Sequence, residues 1–248
     1  MTRKATPTPR AIRQDRSDQT RKDILLAAIR EFSEHGLAGA RTDAIARSAK
    51  VNKALLYYYF KSKGSLYAAA FEEIASAVVQ HSLTALGTGH SAGERLLRAA
   101  LDHFDRILTQ HQFQSLLQQE MVRFRRGESG SVSLLVKRVF KPLLMKLQET
   151  VQEGIRTGEL CEVDSLQVVY SMLGANVFYF LSAPMMQFAL PFDPLESSAL
   201  EARRKAAAQF LGKALFVDRT YGAKLAKRVL ADMPMPKIKK DQLWRKYL

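Results

Sequence analysis

Thr42, Lys53, Tyr57, Tyr58 and Lys63 are the side chains best placed to do chemistry in this 248-residue chain, and the chemistry they suit is recognition of a polyanion. A lysine ammonium is a compact positive charge for a phosphate, and tyrosine and threonine hydroxyls hydrogen-bond phosphate oxygens. Ala54 lies among them, and a side chain this short lets a helix approach the floor of a DNA groove. Of these residues, Lys53 and Ala54 are expected nearest the base edges. The other four serve phosphate contact and positioning.

Two short helices joined by a tight turn must hold them. Thr42 is expected to cap the first and Asn52 the second, each side-chain oxygen accepting from amides that a first helical turn leaves unpaired. Ile45 and Ala49 are four residues apart and so share a face, against which Val51 and Leu56 pack from across the turn. That leaves Lys53, Ala54, Tyr57 and Tyr58 for the outer face, with Lys61 and Lys63 following in a linker opened by Ser62. The arrangement is that of a helix-turn-helix reader of duplex DNA.

Residues 20–71 carry further spaced signals: Thr20-Arg21-Lys22-Asp23-Ile24-Leu25, Phe32, Gly36, Thr42, Ile45-Ala46, Val51, Leu56-Tyr57-Tyr58-Tyr59-Phe60, Lys63, Leu66 and Phe71. This stretch resembles the amino-terminal domain of TetR/AcrR-type transcriptional regulators. Lys50 stands where that family usually turns on glycine, Ala54 at another small or glycine position, and Gly64 at a frequent acidic one. A lysine forced into a left-handed turn costs roughly 1 kcal/mol. The resemblance implies an all-α fold: an N-terminal three-helix helix-turn-helix DNA-binding domain and a larger C-terminal helical domain for ligand binding and dimerisation. It also implies a homodimer on a palindromic DNA operator, released by a small, mostly apolar effector. Glu153 to Asp164 is similar to the junction that such regulators carry before their last two core helices.

Charge divides the chain in the same way. Of a net +14, residues 1–64 hold 14 basic against 6 acidic side chains, residues 65–218 hold 15 against 16, and residues 219–248 hold 9 against 2. The expected organisation is a flexible basic arm over 1–17, a DNA-binding domain over 18–64, a ligand-binding and dimerisation domain over 65–218, and a basic extension over 219–248. The extension suits a solvated segment that packs back through Trp244 and Tyr247, or non-specific contact with DNA or an anionic surface. A single cysteine, Cys161, rules out an intrachain disulfide framework and fits a reducing cytoplasm. A bilayer-spanning apolar run and a signal-peptide core after Met1 are not expected, so cytoplasmic localisation and no membrane partner are expected.

Apolar periodicity places helices over 18–35, from about 63 through Val78, and over 93–110, 113–126, 132–157 with a kink at Pro142, 164–181 ended or bent at Ala183-Pro184, and 196–217. The 164–181 segment is apolar almost all round, more than one core-facing stripe requires. A second copy of the chain, pairing through this helix and the 196–217 helix, is the economical cover. His103, Phe104, Phe113, Glu120, Phe124, Tyr170, Asn176 and Tyr179 place polar and aromatic groups in apolar surroundings, as small-ligand recognition requires. The resemblance implies that such side chains line the effector cavity. Glu120 and Asn176 carry most information, because a polar group buried there needs a partner.

Enzyme chemistry has little to stand on. His35, His81, His90, His103 and His111 form no metal-ligand spacing with carboxylates or Cys161, and neither a glycine-rich phosphate loop nor a nucleophile elbow occurs. No cofactor and no metal are expected. The alternative is a protein of the same fold without a small-molecule inducer, controlled by a protein partner or acting as an architectural DNA binder.

Overall fold

The computed structural model describes residues 9–128 and 132–237, with side chains from residue 15 onward. Residues 1–8 of the expected arm, residues 129–131, and residues 238–248 of the basic extension, with Trp244 and Tyr247, lie outside the described residues. Among the described residues the structure is helical, with one isolated antiparallel bridge between Leu160 and Phe216.

Two compact units make up the chain. The first comprises residues 1–76 and 112–133. It contains α1 (Pro9–Gly39), α2 (Thr42–Ser48), α3 (Lys53–Phe60), the start of α4 (Lys63–Leu86) and nearly all of α6 (His111–Arg125). Ile24, Leu25, Ala28 and Phe32 of α1 are fully buried, as their spacing predicts, and Ile45, Leu56, Leu66 and Phe71 close the same core. Helix α1 begins at Pro9 rather than near Asp18, since a proline is tolerated in a first turn whose amide has no helical partner. Gly36 breaks its regular path at φ 66°, a left-handed value that glycine takes without a Cβ clash.

The expected boundary at residue 64 falls inside this unit, which keeps α4 as far as Ser76 and recruits α6. Helix α6 is held there by hydrogen bonds to the open end of α1. Ser115 Oγ donates to the Ser33 carbonyl at 2.7 Å, and Gln119 Nε2 donates to the carbonyls of Phe32 and Ser33, both at 3.3 Å.

The second unit comprises residues 77–111 and 134–248. Its helices are α5 (Ala92–Thr109), α8 (Lys141–Arg156), α9 (Ser165–Met186), α10 (Ser197–Ala214) and α11 (Arg219–Asp232). Between α6 and α8 lie the short α7 (Val132–Leu135) and a π-helical turn, Val136–Phe140. The wider turn ends just before α8, and Pro142 stands in the first turn of that helix. Pro184 fails to end α9, which runs on to Met186. In a last turn the proline costs at most one backbone bond.

A core of Leu97, Leu101, Leu147, Val151, Val169, Phe216 and Leu225 joins α5, α8, α9 and α11. A second cluster around Phe104, Ile107, Phe180 and Leu200 joins α5, α9 and α10. By length and composition α9 is apolar enough to cross a membrane, contrary to the expectation of no such run. It packs on α5 and α8, and its buried Asn176 donates to the Ala100 carbonyl of α5 at 3.1 Å. One face is therefore held by protein.

Helices α10 and α11 cross backbone to backbone. A Cβ added to Gly222 would run into the Gly212 carbonyl oxygen and the Phe216 ring, so both positions of the crossing require glycine.

Candidate nucleic-acid interface and effector region

The turn between α2 and α3 is closed by Val51 N donating to the Ala46 carbonyl at 3.0 Å, with Lys50 at φ 56°. The left-handed lysine expected from the sequence is thus present. Asn52 caps α3, its Oδ1 accepting from Leu55 N at 2.7 Å. Thr42 is not the cap of α2. That position belongs to Arg41, whose carbonyl takes the amides of Ala44 and Ile45, while its own amide donates to Glu31. Thr42 Oγ1 instead accepts from Tyr57 OH at 3.4 Å, a link from α2 to α3.

Leu56 and Phe60 face the core, which turns Lys53, Ala54 and Tyr58 to solvent, Tyr58 with 71% exposure. Tyr57 is half-buried. Lys53 Nζ pairs with Asp43 Oδ1 at 3.0 Å, and this contact with the lysine holds the Asp43 carboxyl below its ordinary range. Lys63 Nζ donates to the Ala38 carbonyl at 3.0 Å, which aims its charge from the start of α4. Exposed Arg41, Arg47, Lys50 and Lys61 flank the same two helices. The motif spacing singled out none of these as an anion contact, although the basic count of the segment already carried the signal. Further support comes from Tyr59, whose hydroxyl reaches Ser17 Oγ at 3.0 Å and ties α3 to α1.

The eight residues expected at an effector site fall into three places. His103, Phe104, Asn176 and Tyr179 come together in the second unit. Phe104 packs against Phe180 and Tyr179, with ring centroids at 5.0 and 6.4 Å, and Tyr179 OH donates to the Pro194 carbonyl at 2.5 Å. Asn176 Nδ2 lies 3.4 Å from His103 Nδ1. An amide nitrogen can only donate, so the ring nitrogen accepts and the imidazole is neutral. Phe113, Glu120 and Phe124 lie instead on α6 in the first unit. Phe113 stacks on Phe71 at 6.5 Å, and buried Glu120 takes Arg123 Nη1 at 2.8 Å while Arg123 covers the Tyr67 ring at 5.1 Å. Burial, with Glu120 beside it, raises the Tyr67 hydroxyl well above its usual pKa. Phe124 is exposed, as is Tyr170, which lies on the uncovered side of α9.

Two buried ion pairs flank His103 that sequence reasoning missed. Arg106 Nε donates to Asp102 at 2.8 Å, and Arg204 of α10 grips Asp105 through two bonds of 2.7 and 2.8 Å. The four-residue spacing of Asp102 and Arg106 was visible in the chain; the pairing of Asp105 with Arg204, 99 residues away, was not.

Burial, reinforced by Arg106, pulls the His103 pKa down to about 4. The unfolded chain binds this proton near pH 6.5, so His103 adds no pH dependence above that value. Between pH 6.5 and 4 only the unfolded state is protonated, and stability falls by on the order of 3 kcal/mol over that window. Urea unfolding of the wild type and of His103→Gln at pH 7 and pH 4.5 checks this. The variant is expected to lose clearly less stability on acidification, and equal losses would contradict the burial of a neutral ring.

A basic, aromatic helix presented by a capped turn, on a chain whose remainder is a larger helical body, defines a DNA-binding regulator of the helix-turn-helix class. Comparison with known proteins gives the same result. Residues 24–70 match the family described as bacterial regulatory proteins, tetR family, and residues 92–211 match the tetracyclin repressor-like C-terminal domain. The chain belongs to the tetR family of transcriptional regulators.

Among its relatives, the HTH-type transcriptional repressor SCO4008 of Streptomyces coelicolor is 46% identical over 56 residues, 23% of this chain and 29% of that protein. The probable HTH-type transcriptional regulator YttP of Bacillus subtilis is 32% identical over 143 residues, 56% of this chain and 65% of that protein. The match therefore spans less than two thirds of either relative. A transcriptional regulator of Saccharomonospora viridis, solved in complex with choline, shares the fold at TM-score 0.66 and 16% identity, covering 80% of this chain and 98% of that one.

Proposed function

We propose that the protein is a dimeric repressor that binds a palindromic operator and is released by a small, mostly apolar effector. The observation that carries this reading is the outer face of α3, where Lys53, Ala54 and Tyr58 are exposed while Leu56 and Phe60 anchor the helix from behind. Lys53 and Ala54 lie nearest the base edges; Thr42, Tyr57, Tyr58 and Lys63 contact phosphates and fix the helix in the major groove.

Pairing of two chains uses α9 and α10. Leu166, Tyr170, Val177, Phe178, Leu181 and Met185 form an exposed stripe along α9, and Phe210 is exposed on α10. An apolar surface of this extent marks an interface. Two readers related by a twofold axis meet successive major grooves about 34 to 36 Å apart, or further apart on a longer operator.

The effector site is proposed around His103, Phe104, Asn176 and Tyr179, where a few polar atoms face aromatic and aliphatic walls. A choline-bound protein of the same fold supports a small molecule as the effector class. Release follows from population shift: the effector binds better to dimers whose readers cannot reach both grooves, with a coupling of about 1 to 3 kcal/mol.

The double variant Tyr57→Phe with Lys63→Ala tests the interface. It is expected to weaken duplex binding and to flatten the dependence of log K on log salt by about 0.9, the share of one neutralised phosphate. An unchanged slope in fluorescence anisotropy removes both residues from the contact.

A further inference from the structure

We infer that the groove between α10 and α11 is a second DNA-contacting surface, one that grips the phosphodiester backbone without reading sequence. A surface depression of about 550 Å³ there is lined by Lys213, Arg219, Thr220, Ala223, Lys224 and Lys227. Four of these six are cations, all exposed, and none forms an ion pair among the described residues. Their neighbours behave differently: Arg228 on the same helix pairs with Glu94 at 3.2 Å, and Asp232 is taken by Arg98 at 3.0 Å. The nearest carboxylate in sequence, Asp218, is occupied in capping α11, accepting from the amides of Thr220 and Tyr221 at 2.8 and 3.0 Å. Positive charge without an ion-pair partner is thus gathered in one depression.

The groove is also built to keep its shape. Lys213 follows Gly212, and the close approach of Gly212 and Gly222 fixes the segment that bears Lys213 against the helix that bears Lys224 and Lys227. A cationic surface held in this way loses little side-chain freedom beyond the lysines themselves when an anion docks.

Duplex DNA is the occupant that the chemistry favours. The lining holds no apolar side chain larger than alanine, whereas a membrane surface is engaged by basic residues together with larger apolar ones. Basic character continues in the sequence beyond α11 with Lys237, Lys239, Lys240, Arg245 and Lys246, a run suited to a linear array of phosphates. The hydroxyl of Thr220 adds a neutral donor for a phosphate oxygen.

The test uses the full chain and a fluorescent duplex of scrambled sequence, titrated over a range of potassium chloride. Lys213→Gln/Lys224→Gln/Lys227→Gln is expected to make the log K against log salt plot shallower by about 2 to 3, three contacts at about 0.9 each, and to lower affinity at least roughly tenfold near 0.1 M salt. The matching Lys→Arg triple variant should restore the wild-type plot, and unchanged circular-dichroism melting shows that the fold is intact. Preference for operator over scrambled duplex should survive in the Gln variant and disappear in Lys53→Gln/Tyr58→Phe, which separates failure of the groove from failure of the α3 reader. An unchanged salt plot, or a loss of binding to phosphatidylglycerol vesicles with duplex binding intact, overturns the inference.

Discussion

Glutamate at both Phe178 and Leu181 is expected to turn the dimer into a monomer and to lower operator affinity by on the order of 10²- to 10⁴-fold, the loss that accompanies removal of a second tethered reader. Both side chains are more than half exposed within one chain, at 68% and 56%. Their replacement therefore removes little packing inside the protomer, and surface changes of this kind usually alter stability by no more than about 0.5 kcal/mol. In the paired state the same positions would bury two carboxylates against apolar α9 and α10, at a desolvation cost that an isolated charge cannot recover. Sedimentation equilibrium beside anisotropy on the operator separates the two effects. A variant that stays dimeric, or a monomer that binds as tightly as the wild type, would refute the proposed role of α9.

Arg204→Ala carries the largest expected cost in stability. Arg204 is 4% exposed and supplies three bonds, two to the Asp105 carboxylate and one to the Met233 carbonyl at 2.9 Å, so it ties α5 to α10 and to the end of α11. Burial already pushes the Asp105 carboxyl up, and the guanidinium is what opposes that shift. Truncation leaves a buried acid without its partner, a change that typically costs about 3 to 5 kcal/mol. For a chain of this size that corresponds to roughly 6 to 20 °C in Tm. Adding Asp105→Asn to Arg204→Ala should recover part of the loss by removing the orphaned charge, and a melting point unmoved by Arg204→Ala would show that the pair contributes nothing net.

The reader was legible in the sequence because its determinants are local. Asn52 and Leu55 are three residues apart, Ile45 and Ala49 four, and the alternation of Leu56 and Phe60 with Tyr57 and Tyr58 fixes which face turns out; no distant contact is needed to decide any of these. Even here the capping reading slipped by one position at Arg41 and Thr42. Thr42 has the side chain that usually caps a helix, but the position falls to Arg41, whose amide is tied to Glu31, ten residues away.

The body was legible as helices but not as an arrangement. Phe113 and Leu116 give α6 an apolar stripe that fits either unit, and the choice is made by Ser115 and Gln119 meeting the carbonyls at the end of α1 more than 80 residues earlier. Glu120, singled out as a polar group needing a partner, meets Arg123 near Tyr67 within that unit. The glycine crossing of α10 and α11 was hidden for a related reason. Gly212 and Gly222 look like ordinary helix interruptions until the two backbones are seen to meet.

Selection of tightly bound duplexes from a random pool, followed by a count of chains per selected duplex, tests most directly whether two copies read DNA through α3. The expected result is an inverted-repeat sequence occupied by two chains, with enrichment abolished when Lys53 and Tyr58 are replaced. Recovery of no sequence preference at low salt, or a preference that survives those replacements, would contradict it.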